Sequence, residues 1–394
     1  MINQKNLELG KVRSVIRELF EYGKQLKNQR GEENVFDFSL GNPSVPTPEY
    51  VTQRLQFLIG NGNPVQLHGY TSAQGDYDVR RAVASDLNSR FNANFSADEI
   101  YMTCGAAASL TITLNALINC GDEVVVLAPY FPEYAVFVAN AGAKLVVVNC
   151  DENTLQPDVQ KIKDALSPKT KAIIVNSPNN PSGVIYDEQI LKSLAQVLAE
   201  HEKATGNTIY LISDEPYREL VYDGKNVPFV ANYYANTVVC YSFSKSLSLP
   251  GERIGYVALN PQMPTKNDVY FAVMGSGRAL GYVCAPTLFQ YLVKDVVGKP
   301  VDVSTYQTNR DLLCSALKEF GYDVINPDGA FYLFIKTPCK DADEFMDRAK
   351  EYGILLVSSK SFGMDGYARI AYCVSTDLIK RSLPSFKLLI ESYK

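Results

Sequence analysis

Residues 208–217 read TIYLISDEPY, a largely apolar, β-branched run that ends on two carboxylates, a proline and a tyrosine. Apolar residues without alternation describe a strand covered on both faces, the pattern of a parallel sheet between helices. The same texture recurs at Glu123–Ala128, Lys144–Asn149, Lys171–Asn176, Thr208–Ser213, Thr237–Ser242 and Ile254–Leu259. Helical patterns lie between these runs, over Ala106–Ile118, Glu133–Ala141, Leu155–Ala165 and Glu188–His201, the last with Ile190, Leu191, Leu194 and Leu198 on one face. Strands alternating with helices predict an α/β fold with a mostly parallel central sheet sandwiched by helices.

The flanks differ in texture. An amphipathic stretch marked by Val12, Ile16, Leu19 and Phe20 precedes the proline-rich SLGNPSVPTP of residues 39–48, and residues 300–394 mix helical patterns with the strands DGAFYLFIK and YARIAYCV. These features predict a large domain over residues 46–285. A smaller α+β domain, with an N-terminal arm, is expected from residues 1–45 and 286–394 together.

Composition narrows the partners. The 394 residues, 46% hydrophobic and 21% charged, can bury a core without staples, and a net charge of -5 offers no basic field for nucleic acid or an anionic membrane. The eight cysteines show no C-x-x-C spacing, which predicts buried free thiols and a reducing, cytoplasmic address. The opening MINQKNLELGKVRSV carries no apolar core of a signal peptide, and no run reaches the ~20 apolar residues of a membrane span. His68 and His201 lie far apart, the latter at a charged helix end where exposure is expected, so no metal site is predicted.

In an open parallel sheet, ligands bind where strands give way to loops. Five such places carry unusual residues. MTCGAAASL puts Gly105 before Ala106 and Ala107 at the start of a helix, where free N–H groups and the helix dipole suit a phosphate, although an empty tight turn looks the same. APYFPEY sets Phe131 at a strand end, as a stacking plate or as ordinary core. NSPNNPSG presents the Asn180 amide in a loop more particular than a turn requires. Asp214 emerges at the buried end of its strand, where a carboxylate needs a cationic partner within the protein or on a ligand. Lys245, among Ser242, Ser244 and Ser246 with Arg253 eight residues on, reads as an enclosed amine that loses its proton readily and acts as a nucleophile.

An amine nucleophile, a buried acid, a phosphate turn, a flat plate and an amide donor on one sheet edge match pyridoxal 5′-phosphate, which has an aldehyde, a pyridine nitrogen, a phosphate, a flat ring and a phenolic oxygen. The order and spacing of GAAAS, PYFPEY, NNPSG, DEPY and SFSKSLSLPGERIGY resemble the class I/II, aspartate-aminotransferase-like enzymes of the fold type I pyridoxal-phosphate group. The likeness runs from SLGNPSVPTP to YARIAY. It implies that Lys245 forms a Schiff base and moves protons, that Asp214 faces the ring nitrogen, and that Tyr217 and Asn180 bond the phenolic oxygen. It implies further that Phe131 stacks on the ring, while Gly105, Ala106, Ala107, Ser242, Ser244 and Arg253 hold the phosphate. Arg369 would grip the substrate α-carboxylate with Gly41 over it, a role suited to a bidentate guanidinium. Tyr70 would cross to the partner subunit of a homodimer, and Arg278 stands near the place of an arginine that reads a second substrate carboxylate. The implied activity is transamination between an L-amino acid, aspartate or another acidic one, and a 2-oxo acid such as 2-oxoglutarate. A C–S β-lyase of the same fold and a non-catalytic amino-acid sensor are the alternatives. The chain has no tryptophan, so Phe131 takes the place that aspartate-type relatives commonly give that residue.

Overall fold

The computed structural model describes residues 2–11 and 15–394, leaving out the side chains of Ile16 and Arg17. Val12 and the side chain of Ile16, two of the expected amphipathic positions, lie outside the described residues; Leu19 is buried and Phe20 half-buried. In chain order the strands are β1 (Phe36–Asp37), β2 (Ile100–Thr103), β3 (Glu123–Ala128), β4 (Lys144–Asn149), β5 (Thr170–Asn176), β6 (Tyr210–Asp214) and β7 (Thr237–Ser242). They continue with β8 (Gly255–Leu259), β9 (Val324–Ile325), β10 (Tyr332–Lys336), β11 (Ile354–Leu355), β12 (Val357–Ser358) and β13 (Tyr367–Ala371).

The central sheet has seven strands in the order β2-β8-β7-β6-β5-β3-β4. Strands β4, β3, β5, β6 and β7 are parallel, and their apolar runs are covered by the helices Ala106–Leu117, Glu133–Asn140 and Glu188–Thr205. Parallel pairing aligns the ends of β5, β6 and β7, with Asn176 opposite Asp214 and Asp214 opposite Cys240. One edge of the sheet therefore collects the loops that carry Asn180, Tyr217 and Lys245.

Four features depart from the sequence expectations. Residues 100–103, not among the expected strands, form edge strand β2, and β8 runs antiparallel to both β7 and β2. A short return through Ser248–Arg253 brings the chain straight back beside β7, a hairpin-like connection that cannot produce a parallel neighbour. Strand β4 is not covered on both faces: as the other edge it leaves Lys144 and Val147 exposed. The helix expected from Leu155 begins at Val159, because Leu155 takes φ 56° and Asp158 caps the first turn by accepting from the Gln160 and Lys161 amides.

A second sheet, β12-β13-β10-β9, is antiparallel and packs against the helices Ser304–Phe320, Ala342–Glu351 and Thr376–Glu391. β1 pairs in parallel with β11, Phe36 opposite Ile354, joining the early chain to the late chain. The same core takes in Tyr217, Leu220 and Tyr222 from the loop after β6. Of the eight free cysteines, Cys150, Cys240, Cys314 and Cys373 are buried, whereas Cys120 is exposed in the turn before β3, contrary to the expectation of uniform burial. His201 is half-buried rather than exposed, its Nε2 out of contact with solvent. Among the described residues, no helix is long and apolar enough to cross a membrane.

Candidate active site

A cavity of about 290 Å³ opens at the carboxyl edge of the central sheet and reaches the second sheet. Gly41, Ala106, Ala107, Phe131, Asn180, Asp214, Tyr217, Ser242, Ser244, Lys245, Arg253 and Arg369 all line it. Residues from eight separate stretches of the chain thus meet in one place.

Asp214 ends β6 with its carboxylate buried. Its Oδ2 accepts a 2.5 Å hydrogen bond from the Tyr134 hydroxyl, while Oδ1 has no partner. Burial pushes the carboxyl up to about 7; the Tyr134 bond opposes this and the neighbouring Glu215 charge adds to it. The strand-end geometry is tied down by Asn176, whose Nδ2 donates to the Asp214 carbonyl at 2.8 Å and whose Oδ1 accepts from the Asn180 amide at 2.7 Å.

Lys245 sits in the single helical turn Phe243–Ser246 after β7, capped by Ser242, whose Oγ accepts from the Ser244 amide at 3.2 Å. Its Nζ donates to the Gly41 carbonyl at 2.8 Å and lies 5.3 Å from the centre of the Phe331 ring. Burial brings the amine down to about 8; the Arg253 and Arg369 charges push the same way and Cys373 opposes them. An amine with that balance is neutral often enough near neutral pH to attack an electrophilic carbon.

Gly105 takes φ 89° ahead of the helix Ala106–Leu117, and a Cβ built there would stand 3.0 Å from Arg253 Nη2. The glycine brings a guanidinium against the first helical amides, with Ser242 and Ser244, whose hydroxyls are 2.7 Å apart, beside it. Together they form an anion cradle of helix N-terminus, arginine and hydroxyls. Phe131 presents its ring at the cavity, edge-to-face with Tyr134 at 5.6 Å and 85°.

Arg369, opposite Phe334 and Val357 in the second sheet, is 1% exposed and meets no carboxylate among the described residues. It donates to the Ser39 carbonyl at 2.6 Å and to Asn180 Oδ1 at 3.2 Å, its Nε is unpartnered, and burial lowers its pKa. Its guanidinium lies against Tyr332 at 4.7 Å and Phe362 at 5.0 Å. Gly41 is required by space: a side chain there would collide with the Tyr332 hydroxyl.

Two expected residues stand apart. Tyr70 is 90% exposed and Arg278 is exposed near the end of the helix Lys266–Ala279; neither lines the cavity. The sequence reasoning also passed over Asn176, Tyr134, Phe331 and Tyr332. Tyr134 ends the PYFPEY motif one helical turn beyond Phe131, and that spacing was its available signal. Tyr332 alternates with Phe331 in DGAFYLF, where two aromatics in a buried strand read simply as core.

Comparison with known proteins bears on this geometry. Residues 33–385 match the family model for aminotransferase class I and II. The chain belongs to the class I and II aminotransferases. It is similar to an amino transferase structure from Eubacterium rectale, at 49% identity and TM-score 0.98, covering 100% of this chain and 99% of that one. It is also similar to the aspartate aminotransferase of Thermotoga maritima, 29% identical over 91% of this chain and 92% of the relative. The structure of Thermus thermophilus aspartate aminotransferase with maleate matches at 26% identity and TM-score 0.85, over 96% and 97% of the two chains. The protein is thus an aminotransferase that works with pyridoxal 5′-phosphate, and its fold is that of the aspartate aminotransferases. The cavity fits the cofactor on its own terms: an orphan carboxylate oxygen, a glycine-and-arginine cradle and a buried amine offer complements to a ring nitrogen, a phosphate and an aldehyde.

Proposed function

We propose that Lys245 is the residue to which the cofactor is linked, that Asp214 Oδ1 faces the ring nitrogen, and that Arg369 binds the substrate α-carboxylate. Bound here, pyridoxal 5′-phosphate supplies an electrophilic carbon and a ring that accepts the electron pair released at the substrate α-carbon. The chain's own residues do the rest. Asp214 holds a proton on the ring nitrogen, keeping the ring an acceptor. Tyr217 and Asn180 bond the phenolic oxygen, Phe131 covers a ring face, and the Gly105–Ala107 turn, Ser242, Ser244 and Arg253 hold the phosphate. Arg369 orients the substrate, with Gly41 leaving it room, so that the α-hydrogen comes within reach of Lys245. The Lys245 amine would carry the α-proton and return it on the other side of the reaction.

The substrates are an L-amino acid, with aspartate or another acidic one as donor, and a 2-oxo acid such as 2-oxoglutarate as acceptor; the names of relatives from Thermotoga and Thermus support aspartate as donor. The protein acts as a homodimer in a reducing cytoplasm. Exposed Tyr70, Val65 and Val283 suit an interface, across which Tyr70 reaches the partner's phosphate and Arg278 the distal carboxylate, and eight free thiols suit the compartment. Residues 46–285 form the cofactor-binding domain, with 1–45 and 286–394 forming the smaller one.

The observation that carries this function is the convergence of a depressed lysine, a half-satisfied aspartate and an arginine without an anion on one cavity. The test is a two-stage absorbance experiment on the cofactor-loaded protein. Aspartate should abolish the long-wavelength cofactor band, and 2-oxoglutarate should restore it with release of glutamate. With a cysteine S-conjugate in place of aspartate, release of a thiol, pyruvate and ammonia without that reversal would replace transamination by elimination.

A further inference from the structure

Tyr332 touches three groups of the site. Its hydroxyl lies 3.0 Å from that of Tyr217, its ring supports Arg369 at 4.7 Å, and it occupies the space beside Gly41. The two phenols are buried, at 4% exposure for Tyr217 and 3% for Tyr332, and burial keeps both protonated, Tyr332 up to about 12 and Tyr217 well above its ordinary value. Each therefore has one proton to give and two lone pairs to accept with.

We propose that Tyr332 is a positioning residue that sets the direction of a two-phenol chain: Tyr332 donates to Tyr217, and Tyr217 donates into the cavity. This rests on the role given to Tyr217 above, as donor to the phenolic oxygen of the cofactor. Proton counting supports it. If Tyr217 gave its proton to Tyr332, it would turn a lone pair toward an anionic oxygen, and the contact would be repulsive. With Tyr332 donating, the Tyr217 oxygen is polarised and its own O–H becomes a stronger donor. The phenolic oxygen then shares more of its negative charge with the protein and holds less attraction for a proton on the nitrogen that joins lysine and cofactor. The pH midpoint of the bound cofactor's absorbance is thereby lowered. The ring of Tyr332 has a separate duty under Arg369, and removing the hydroxyl alone leaves that platform in place.

The experiment is a spectrophotometric pH titration of the holoenzyme. Tyr332→Phe should move the midpoint upward by about half a unit to one unit. In a Tyr217→Phe background, the same change should move it by less than ~0.2 unit, because the chain has already lost its middle member. In steady state the effect should fall on kcat rather than on the KM for the amino acid. Replacing Tyr332 by 3-fluorotyrosine, a stronger donor of the same shape, should move the midpoint downward and serves as the arm that keeps the whole side chain. An unmoved midpoint in Tyr332→Phe, equal shifts in both backgrounds, or an upward shift with fluorotyrosine would overturn the proposal. Absence of a titrating cofactor band in the wild-type protein would instead refute the site assignment itself.

Discussion

Arg218 and Arg369 are both buried, at 4% and 1% exposure, in opposite surroundings. Arg218 meets Glu215 at 2.6 Å and the Tyr256 hydroxyl at 3.2 Å, with the Tyr241 ring 4.6 Å away; burial pulls its pKa down, and Glu215 together with Tyr256, Glu219 and Tyr241 outweighs that to hold it well above its ordinary value. Arg369 meets only the neutral oxygens of Ser39 and Asn180, keeps an unpartnered Nε, and is pulled down by burial. The first cation has a counter-charge in its own chain, although its Nη2, like the Nε of Arg369, is without a hydrogen-bond partner. The second meets no counter-charge among the described residues, as its proposed role toward a substrate carboxylate requires. A desolvated charge without a counter-charge costs stability, and such a cost persists where a ligand removes it in the working state.

Removing each arginine tests that contrast. Arg369→Met should lower kcat/KM by about 10²–10³-fold, the loss expected when one partner of a buried, hydrogen-bonded charge pair is truncated, while Tm stays level or rises. Calorimetry showing a large fall in Tm would place Arg369 with the structural arginines. Arg218→Met strands a buried carboxylate and should cost about 3–5 kcal/mol in denaturant unfolding, with much of it recovered when Glu215→Leu is added. No loss of stability in the single variant would remove the difference between the two regions.

A smaller effect is expected at the acid. Tyr134→Phe withdraws the bond that holds the Asp214 carboxyl down, so the ionised form that pairs with the ring nitrogen is favoured less, and cofactor binding should weaken by about 10–100-fold in equilibrium dialysis. Unchanged binding would mean that Oδ1 alone suffices.

The smallest signal is in the pH dependence of the cofactor-free protein. Asp214 is raised to about 7, so between its unfolded value and 7 the folded state holds more protons than the unfolded one, and this group's contribution falls as pH rises. Lys245 is lowered to about 8, so between 8 and its unfolded value the unfolded state holds more protons, and its contribution rises with pH. Each slope is at most about 1.4 kcal/mol per pH unit for one proton. Asp214→Asn should remove the acid-side component and leave the alkaline one. Identical profiles for wild type and variant would contradict the burial of a lone carboxylate.

Much of the site was legible because its parts follow apolar strands. Asp214, Lys245 and Asn180 each break a hydrophobic run at its end, and a parallel sheet must bring those ends together. Tyr332 was not legible as a site residue, and Tyr134 only through its spacing from Phe131, because an aromatic inside an apolar segment looks the same whether its hydroxyl meets a carboxylate or a phenol. In the fold, β2 escaped because a four-residue edge strand running into CGAAAS carries too short a pattern. The sense of β8 escaped because direction is set by the Ser248–Arg253 return rather than by the strand's own residues. Phe131 is half-buried, lines the cavity and packs on Tyr134, a position compatible with either of its readings.

The central claim is a covalent one at a single nitrogen. The protein, mixed with pyridoxal 5′-phosphate, reduced with borohydride and digested, should yield by mass spectrometry a phosphopyridoxyl adduct on Lys245 in stoichiometric amount, and none on the Lys245→Ala variant. A stoichiometric adduct on another lysine, or an unmodified Lys245 peptide under saturating cofactor, would contradict it.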